Sequence, residues 1–180
     1  MRTLRLVPLL LLAAGCLQRR PPEYPAPIPA IPARPTPAFG VSLADIALGT
    51  GAPMVPRACV YSHYTGWLTD GTKFDSSRDT MPNGQPRTPI AFAQGARVVI
   101  PGMDASFEGM RVGGKRRMVI SYQLAYGELG RPPVIPPRAT LIFDVELMAV
   151  TDTLPRTEPA RPGQPSPPRC APWSAVSGAR

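Results

Sequence analysis

Histidine is almost absent from this chain, with His63 the only one in 180 residues. A metal site cannot be built around paired imidazoles, which argues against a metalloenzyme, and nothing in the chain calls for a cofactor. His63 is read as a strand residue satisfied by a local hydrogen bond. Long apolar runs are missing too: the N-terminal stretch Leu6–Ala14 has nine residues, whereas a helix needs about 20 to cross a bilayer. Acidic residues are few, 12 against 20 Lys and Arg. The resulting charge of +8 is spread out: +4 in residues 1–39, +2 in residues 40–151 and +2 in residues 152–180. A nearly neutral central region excludes nucleic acid as the expected partner. Its one dense basic cluster, Lys115-Arg116-Arg117, reads as the solvated end of a hairpin, or else as a contact for an acidic surface.

Proline is what the chain has in excess. Residues 17–39 hold 8 of the 26 prolines and residues 155–172 hold 7, against 10 in residues 40–151. Near-alternate prolines enforce polyproline II and forbid helix and central strand. The expected organisation is a signal peptide over 1–15, a lipidated cysteine and spacer over 16–39, a folded domain over 40–151, and a tail without fixed structure over 152–180. At about 3.1 Å per residue, the spacer would reach roughly 70 Å.

The N-terminus reads as an address. Arg2 and Arg5 precede the apolar stretch, and Ala13-Ala14-Gly15-Cys16 follows it, the order of an export signal. The last four residues resemble the lipobox of bacterial lipoproteins, with Ala13 where leucine is usual. The resemblance implies acylation of Cys16 and a membrane anchor; the alternative is an ordinary signal peptide with an incidental cysteine. Leu17, where aspartate would direct otherwise, favours the outer membrane facing the periplasm. Of the other cysteines, Cys59 lies in an expected strand and Cys170 in the tail. An oxidising compartment would permit their pairing, which the sequence leaves open.

Within 40–151 the pattern is mostly extended. Val41–Leu48 reads as an edge strand, and Cys59–Tyr64 as a second strand ending in a bend at Thr65–Leu68. Leu141, Phe143, Val145 and Leu147 alternate with Ile142, Asp144 and Glu146, the period of a half-buried strand. Met103, Phe107 and Met110 share one helical face, predicting a helix over 102–110. These elements make an α+β domain, an antiparallel sheet folded over a helix. Between Tyr126 and Arg138 runs a stiff loop with four prolines and two glycines. Val134 and Ile135 at its tip are expected to wall a cleft.

Four segments together resemble the FKBP-type peptidyl-prolyl isomerases. They are His63-Tyr64-Thr65-Gly66; Lys73-Phe74-Asp75-Ser76-Ser77; Val99-Ile100-Pro101-Gly102; and Ala125-Tyr126-Gly127 through Ile135-Pro136-Pro137 to Phe143–Leu147. The resemblance implies a bent antiparallel sheet of five to six strands wrapped around one short helix, with an apolar cleft that receives proline. It implies Tyr64, Phe74, Phe92 and Phe143 as aromatic lining, and Val99, Ile100, Val134 and Ile135 as aliphatic walls. Asp75 and Tyr126 match the polar pair beside the cleft, and the Ile100 N–H matches a ligand donor. Three positions depart from the pattern: Met103 stands for a floor tryptophan, Ile90 for an aromatic, and the loop after Asp79 is longer. These bear on affinity and macrolide binding more than on catalysis. The partners implied are proline-containing polypeptides. A monomer is expected, because dimeric relatives carry a long helical segment where this chain has a proline spacer. The competing expectation is a tethered binding module with negligible turnover.

Overall fold

The computed structural model describes residues 28–29, 36–38, 40–151 and 169–178. The signal segment, Cys16, most of the spacer and residues 152–168 lie outside the described residues. The strands are β1 (Thr36–Ala38), β2 (Val41–Ala47), β3 (Cys59–Leu68), β4 (Lys73–Ser76), β5 (Ile90–Ala93), β6 (Lys115–Ile120) and β7 (Leu141–Thr151). The helices are α1 (Pro101–Ala105) and α2 (Trp173–Val176), with a 3-10 turn at Tyr122–Leu124.

Every strand pairing is antiparallel, in the order β1-β2-β6-β7-β3. The sixth place is shared, because β5 pairs with the first half of β3 and β4 with the second. The sheet is thus six strands wide, as expected. Register shifts at Tyr61/Ser62, Asp45/Ala47 and Gly66/Trp67 bend it, since a bulge sharpens local twist. The concave face buries Val60, Met118, Ile120, Leu141, Phe143, Val145 and Leu147 against Met103, Phe107 and Met110. Alternation along β7 therefore holds on the inner face. On the outer face Ile142 is buried as well, covered by Ile28 and Trp67.

Several expectations are corrected. The helix is five residues long and stops at Ala105. Phe107 and Met110 reach the core from successive turns, closed by Ser106 N–H to the Met103 carbonyl and Met110 N–H to the Phe107 carbonyl. Thr65–Leu68 is no bend: β3 continues through it against β7. β2 is not an edge strand, because β1 lies outside it. Pro37 within β1 sits where proline is tolerated, on the edge.

The basic cluster is not a solvated hairpin end either. Arg116 is buried, forks onto the Asp45 carboxylate at 2.6 and 3.2 Å and donates to the Ser106 and Glu108 carbonyls. Arg117 is 0% exposed and forks onto Asp144 at 2.6 Å for both bonds, with a third to the Pro29 carbonyl at 2.7 Å. Of the three, Lys115 alone is open to solvent. Nor is the tail without structure at its end. Cys170 forms a disulfide with Cys59 (Cα–Cα 5.6 Å), the Tyr61 hydroxyl donates to the Ala171 carbonyl, and Trp173 packs on Tyr61 with ring centroids 5.8 Å apart. The folded unit thus takes in residues on both sides of 40–151.

Candidate active site

The site begins with a close approach of backbone to ring. Gly66 in β3 lies beside Phe74 of β4 and Phe143 of β7, and a Cβ there would meet their ring carbons at 2.6 and 2.8 Å. The missing side chain lets the two rings meet edge to face, with centroids 5.4 Å apart and planes at 89°. Tyr64, two residues back along β3, sets its ring 6.2 Å from Phe143. Strand pairing thus gathers three aromatics on one patch of the concave face.

Opposite them, Val99 and Ile100 lead into α1, whose first position is Pro101, a placement where proline's fixed φ suits the helix. The next residue, Gly102, lies against β6, where a Cβ would come within 2.3 Å of the Ile120 side chain. This contact seats the helix so that Met103 forms the cleft floor. The cleft encloses about 400 Å³ and is lined by Tyr64, Phe74, Asp75, Ile90, Val98, Val99, Ile100, Met103, Tyr126, Arg131 and Phe143.

The polar groups divide into engaged and unengaged. The Tyr64 hydroxyl donates to Asp75 Oδ2 at 2.5 Å. Burial and this bond push the Tyr64 phenol well above its ordinary pKa, so it stays protonated. Asp75 Oδ1 accepts from the Ser76 N–H at 2.9 Å and from Arg87 at 3.1 Å. Asp75 is therefore spent on holding Tyr64 and the β4 turn. Ser77 Oγ, which accepts from the Tyr64 N–H at 2.8 Å and lies 3.0 Å from His63 Nδ1, fixes the same turn. The Tyr126 hydroxyl, by contrast, has no hydrogen-bond partner among the described residues, and neither does the Ile100 N–H. Arg131 stands over the Tyr126 ring, 5.9 Å from its centroid.

Of the residues expected in the cleft, eight line it together: Tyr64, Phe74, Asp75, Val99, Ile100, Met103, Tyr126 and Phe143. Three lie elsewhere. Phe92 is core, its ring meeting Phe107 edge to face. Ile135 is core as well, and Val134 is 51% exposed on the loop surface. Val98 and Arg131 are lining residues that the sequence does not single out, since nothing in a loop's composition says which way a side chain points. Gly66 carries a weak signal: an isolated glycine within an apolar alternating stretch marks a close approach.

The family model for FKBP-type peptidyl-prolyl cis-trans isomerase matches residues 52–148. The chain belongs to the FKBP-type peptidyl-prolyl cis-trans isomerase family. It is 45% identical over 111 residues to an FK506-binding protein of Neisseria meningitidis serogroup B, covering 62% of this chain and 96% of that one. It is 48% identical over 91 residues to the human peptidyl-prolyl cis-trans isomerase FKBP2, covering 51% of this chain and 60% of that protein. Among solved structures it resembles FkpA from Escherichia coli, with a TM-score of 0.54 and 36% identity, over 64% of this chain and half of that one. A Pseudomonas syringae peptidyl-prolyl isomerase matches with the same TM-score and 32% identity, over 64% of this chain and 78% of that one. The matched family segment contains every residue that lines the cleft.

This FKBP-type isomerase has to lower a rotational barrier and nothing more. A peptide bond resists twisting by about 18–20 kcal/mol because resonance gives it partial double-bond character. The planar amide is strongly dipolar and the twisted one less so. Removing an amide from water without new hydrogen bonds costs roughly 2–7 kcal/mol, and a 10⁴-fold acceleration requires about 5.5 kcal/mol. An apolar cleft lined by Phe74, Met103 and Phe143 is suited to disfavour the planar form.

Proposed function

We propose that this isomerase turns prolyl bonds in the Tyr64–Phe143 cleft, acting as a monomer on proteins that have crossed a bacterial inner membrane, while an acylated Cys16 holds it to a membrane. The observation that carries the site is the division of its polar groups. Asp75 is engaged by Tyr64, Ser76 and Arg87, whereas the Tyr126 hydroxyl and Ile100 N–H, on residues that line the cleft, have no partner among the described residues. Proline's ring enters between Phe74, Phe143 and Met103. The two unengaged donors take carbonyl oxygens of the bound chain, and the cleft excludes water as the bond twists. No proton is transferred. Asp75 works by positioning Tyr64 and the cleft wall.

The export signal supports the location, and so does the Cys59–Cys170 disulfide, a bond that persists in oxidising compartments. Among the described residues no helix is long and apolar enough to cross a membrane. Two measurements test the proposal. Catalysed cis-to-trans exchange of a short Xaa-Pro peptide is expected with the full chain and falls about 3- to 10-fold in Tyr126→Phe, the worth of one hydrogen bond. Peptide binding without acceleration would leave a binding module in its place. Labelling with a fatty-acid analogue is expected in the parent and absent in Cys16→Ser, which should leave the membrane fraction; unchanged fractionation would remove the anchor.

A further inference from the structure

Beside the cleft, across Val99, lies a second and larger groove of about 690 Å³. Its apolar lining comes from Pro56, Val99, Pro101 and Ala105, and the exposed Arg57 and Arg97 line it too. Val99 lines both cavities, so the two are neighbours along the surface. The volume lies within the range of about 300–1,000 Å³ that holds a sizeable ligand.

The charges around these cavities are unbalanced in one direction. Elsewhere in the domain five arginines are matched to carboxylates, Arg78 to Glu146, Arg87 to Asp75, Arg116 to Asp45, Arg117 to Asp144 and Arg138 to Glu128, and the sixth, Arg111, donates to the Gly51 carbonyl instead. Arg57, Arg97 and Arg131 have no carboxylate partner among the described residues. All three line the groove or the adjoining cleft. The groove's own acid, Asp104, is held by the Gly95 N–H on both oxygens at 3.0 and 2.9 Å. Gln94 braces the same wall, accepting from the Arg57 N–H and donating to the Asp104 carbonyl.

We infer that this groove is a second substrate subsite, which takes the stretch of polypeptide flanking the bound proline and selects an acidic residue there through Arg57 and Arg97. The inference rests on proline binding in the Tyr64–Phe143 cleft. Apolar walls receive the flanking chain, and the two guanidinium groups meet its carboxylate. Exposed charges act through solvent, so the selection is moderate and salt-sensitive.

The test is a peptide series with Glu, Gln or Lys at each of several positions on either side of proline, turned over by the full chain. In one register Glu is expected to raise kcat/KM over Gln by about 3- to 10-fold at low salt, with the advantage shrinking at high salt. Arg57 and Arg97 sit at φ 63° and 58°, a region that asparagine and aspartate tolerate better than most residues. Arg57→Asn with Arg97→Asn should erase the Glu advantage, bringing the Glu-to-Gln ratio of kcat/KM to unity whatever the absolute rates. Replacing both by Asp should move the preference to Lys. No register with a Glu advantage, or an advantage that survives the double Asn variant, overturns the subsite. If the parent turns over no peptide, the cleft reading fails instead. The subsite is then judged by whether the Glu peptide perturbs the amide resonances of Gly95 and Arg97 more than the Gln peptide does.

Discussion

Gly66 is one position where a single carbon decides the geometry of the cleft. Its Cβ would stand 2.6 Å from Phe74 and 2.8 Å from Phe143, the two rings that together line the cleft. Gly66→Ala must push at least one ring aside. Overpacking of this kind costs about 1–3 kcal/mol, and displaced walls at a site of this precision reduce turnover steeply. Isomerisation is expected to fall about 10-fold or more while the protein remains folded; unchanged kcat/KM would mean that the rings yield without consequence. His63 offers a second test, on stability. Burial, and then the charge of Arg78, lowers its pKa from the ordinary value. The unfolded chain therefore takes up a proton first as pH falls below about 6.5, and ν_U exceeds ν_N in that window. Stability should drop from its neutral-pH value as pH falls through the unfolded and then the folded pKa. Because His63 is the chain's only histidine, the drop should be missing from His63→Gln in paired melting curves at pH 7 and 5. Parallel curves for the two proteins would remove histidine from the account.

Among the elements, β7 was the most legible, because alternation of Leu141, Phe143, Val145 and Leu147 describes one buried face directly. The helix was half legible. Met103, Phe107 and Met110 are all buried, but two turns place the last two where a longer helix would also have put them. Spacing alone cannot separate these backbones. The end of β3 was not legible, since Thr65-Gly66 signals a turn where the strand in fact runs on with two rings packed against the glycine. The cleft's aromatics and Tyr126 came from motif resemblance, and Arg131 from neither source. The basic cluster misled because charge composition says nothing of a partner on another strand. Arg117 and Asp144 are cross-strand partners in the β6–β7 ladder. Arg117→Ala leaves the Asp144 carboxylate without its fork and the Pro29 carbonyl without a donor, an expected loss of about 3–5 kcal/mol. Arg117→Met with Asp144→Leu should recover most of it, since a buried ion pair is often no better than apolar residues. Urea titration of the three proteins distinguishes the cases. Equal midpoints for the parent and Arg117→Ala would show that the fork contributes nothing.

At the scale of the whole molecule, Ile28 and the segment 169–178 lie on the outer face of the sheet, away from the cleft. Ile28 covers Trp67 and Ile142, and the C-terminal segment covers Cys59, Tyr61 and Ala93. Residues that alternate outward on β3 are therefore buried without belonging to the core beneath the cleft, which explains why Cys59 and Tyr61 are apolar-facing on a side that would otherwise meet water. The cross-link joins residues 111 apart in sequence. In the chain-entropy account a loop of that order removes about 4–5 kcal/mol of unfolded-state freedom, and measured values are more often about 2–4 kcal/mol. For a protein of this size each kcal/mol moves Tm by about 2–4 °C. Cys170→Ser should accordingly lower Tm by roughly 5–15 °C. Truncation before Arg169 should lower it further, because the Tyr61–Ala171 hydrogen bond and the Trp173 stack go as well. Neither change touches a cleft residue, so prolyl isomerisation at 25 °C should stay near the parental rate in both. Reduction of the parent with a thiol should reproduce the Cys170→Ser melting point. A parent whose Tm does not respond to reduction would show that the segment is held by its side-chain contacts alone. A variant that loses turnover at 25 °C while still folded would show that the outer face of β3 communicates with the cleft through the strand they share.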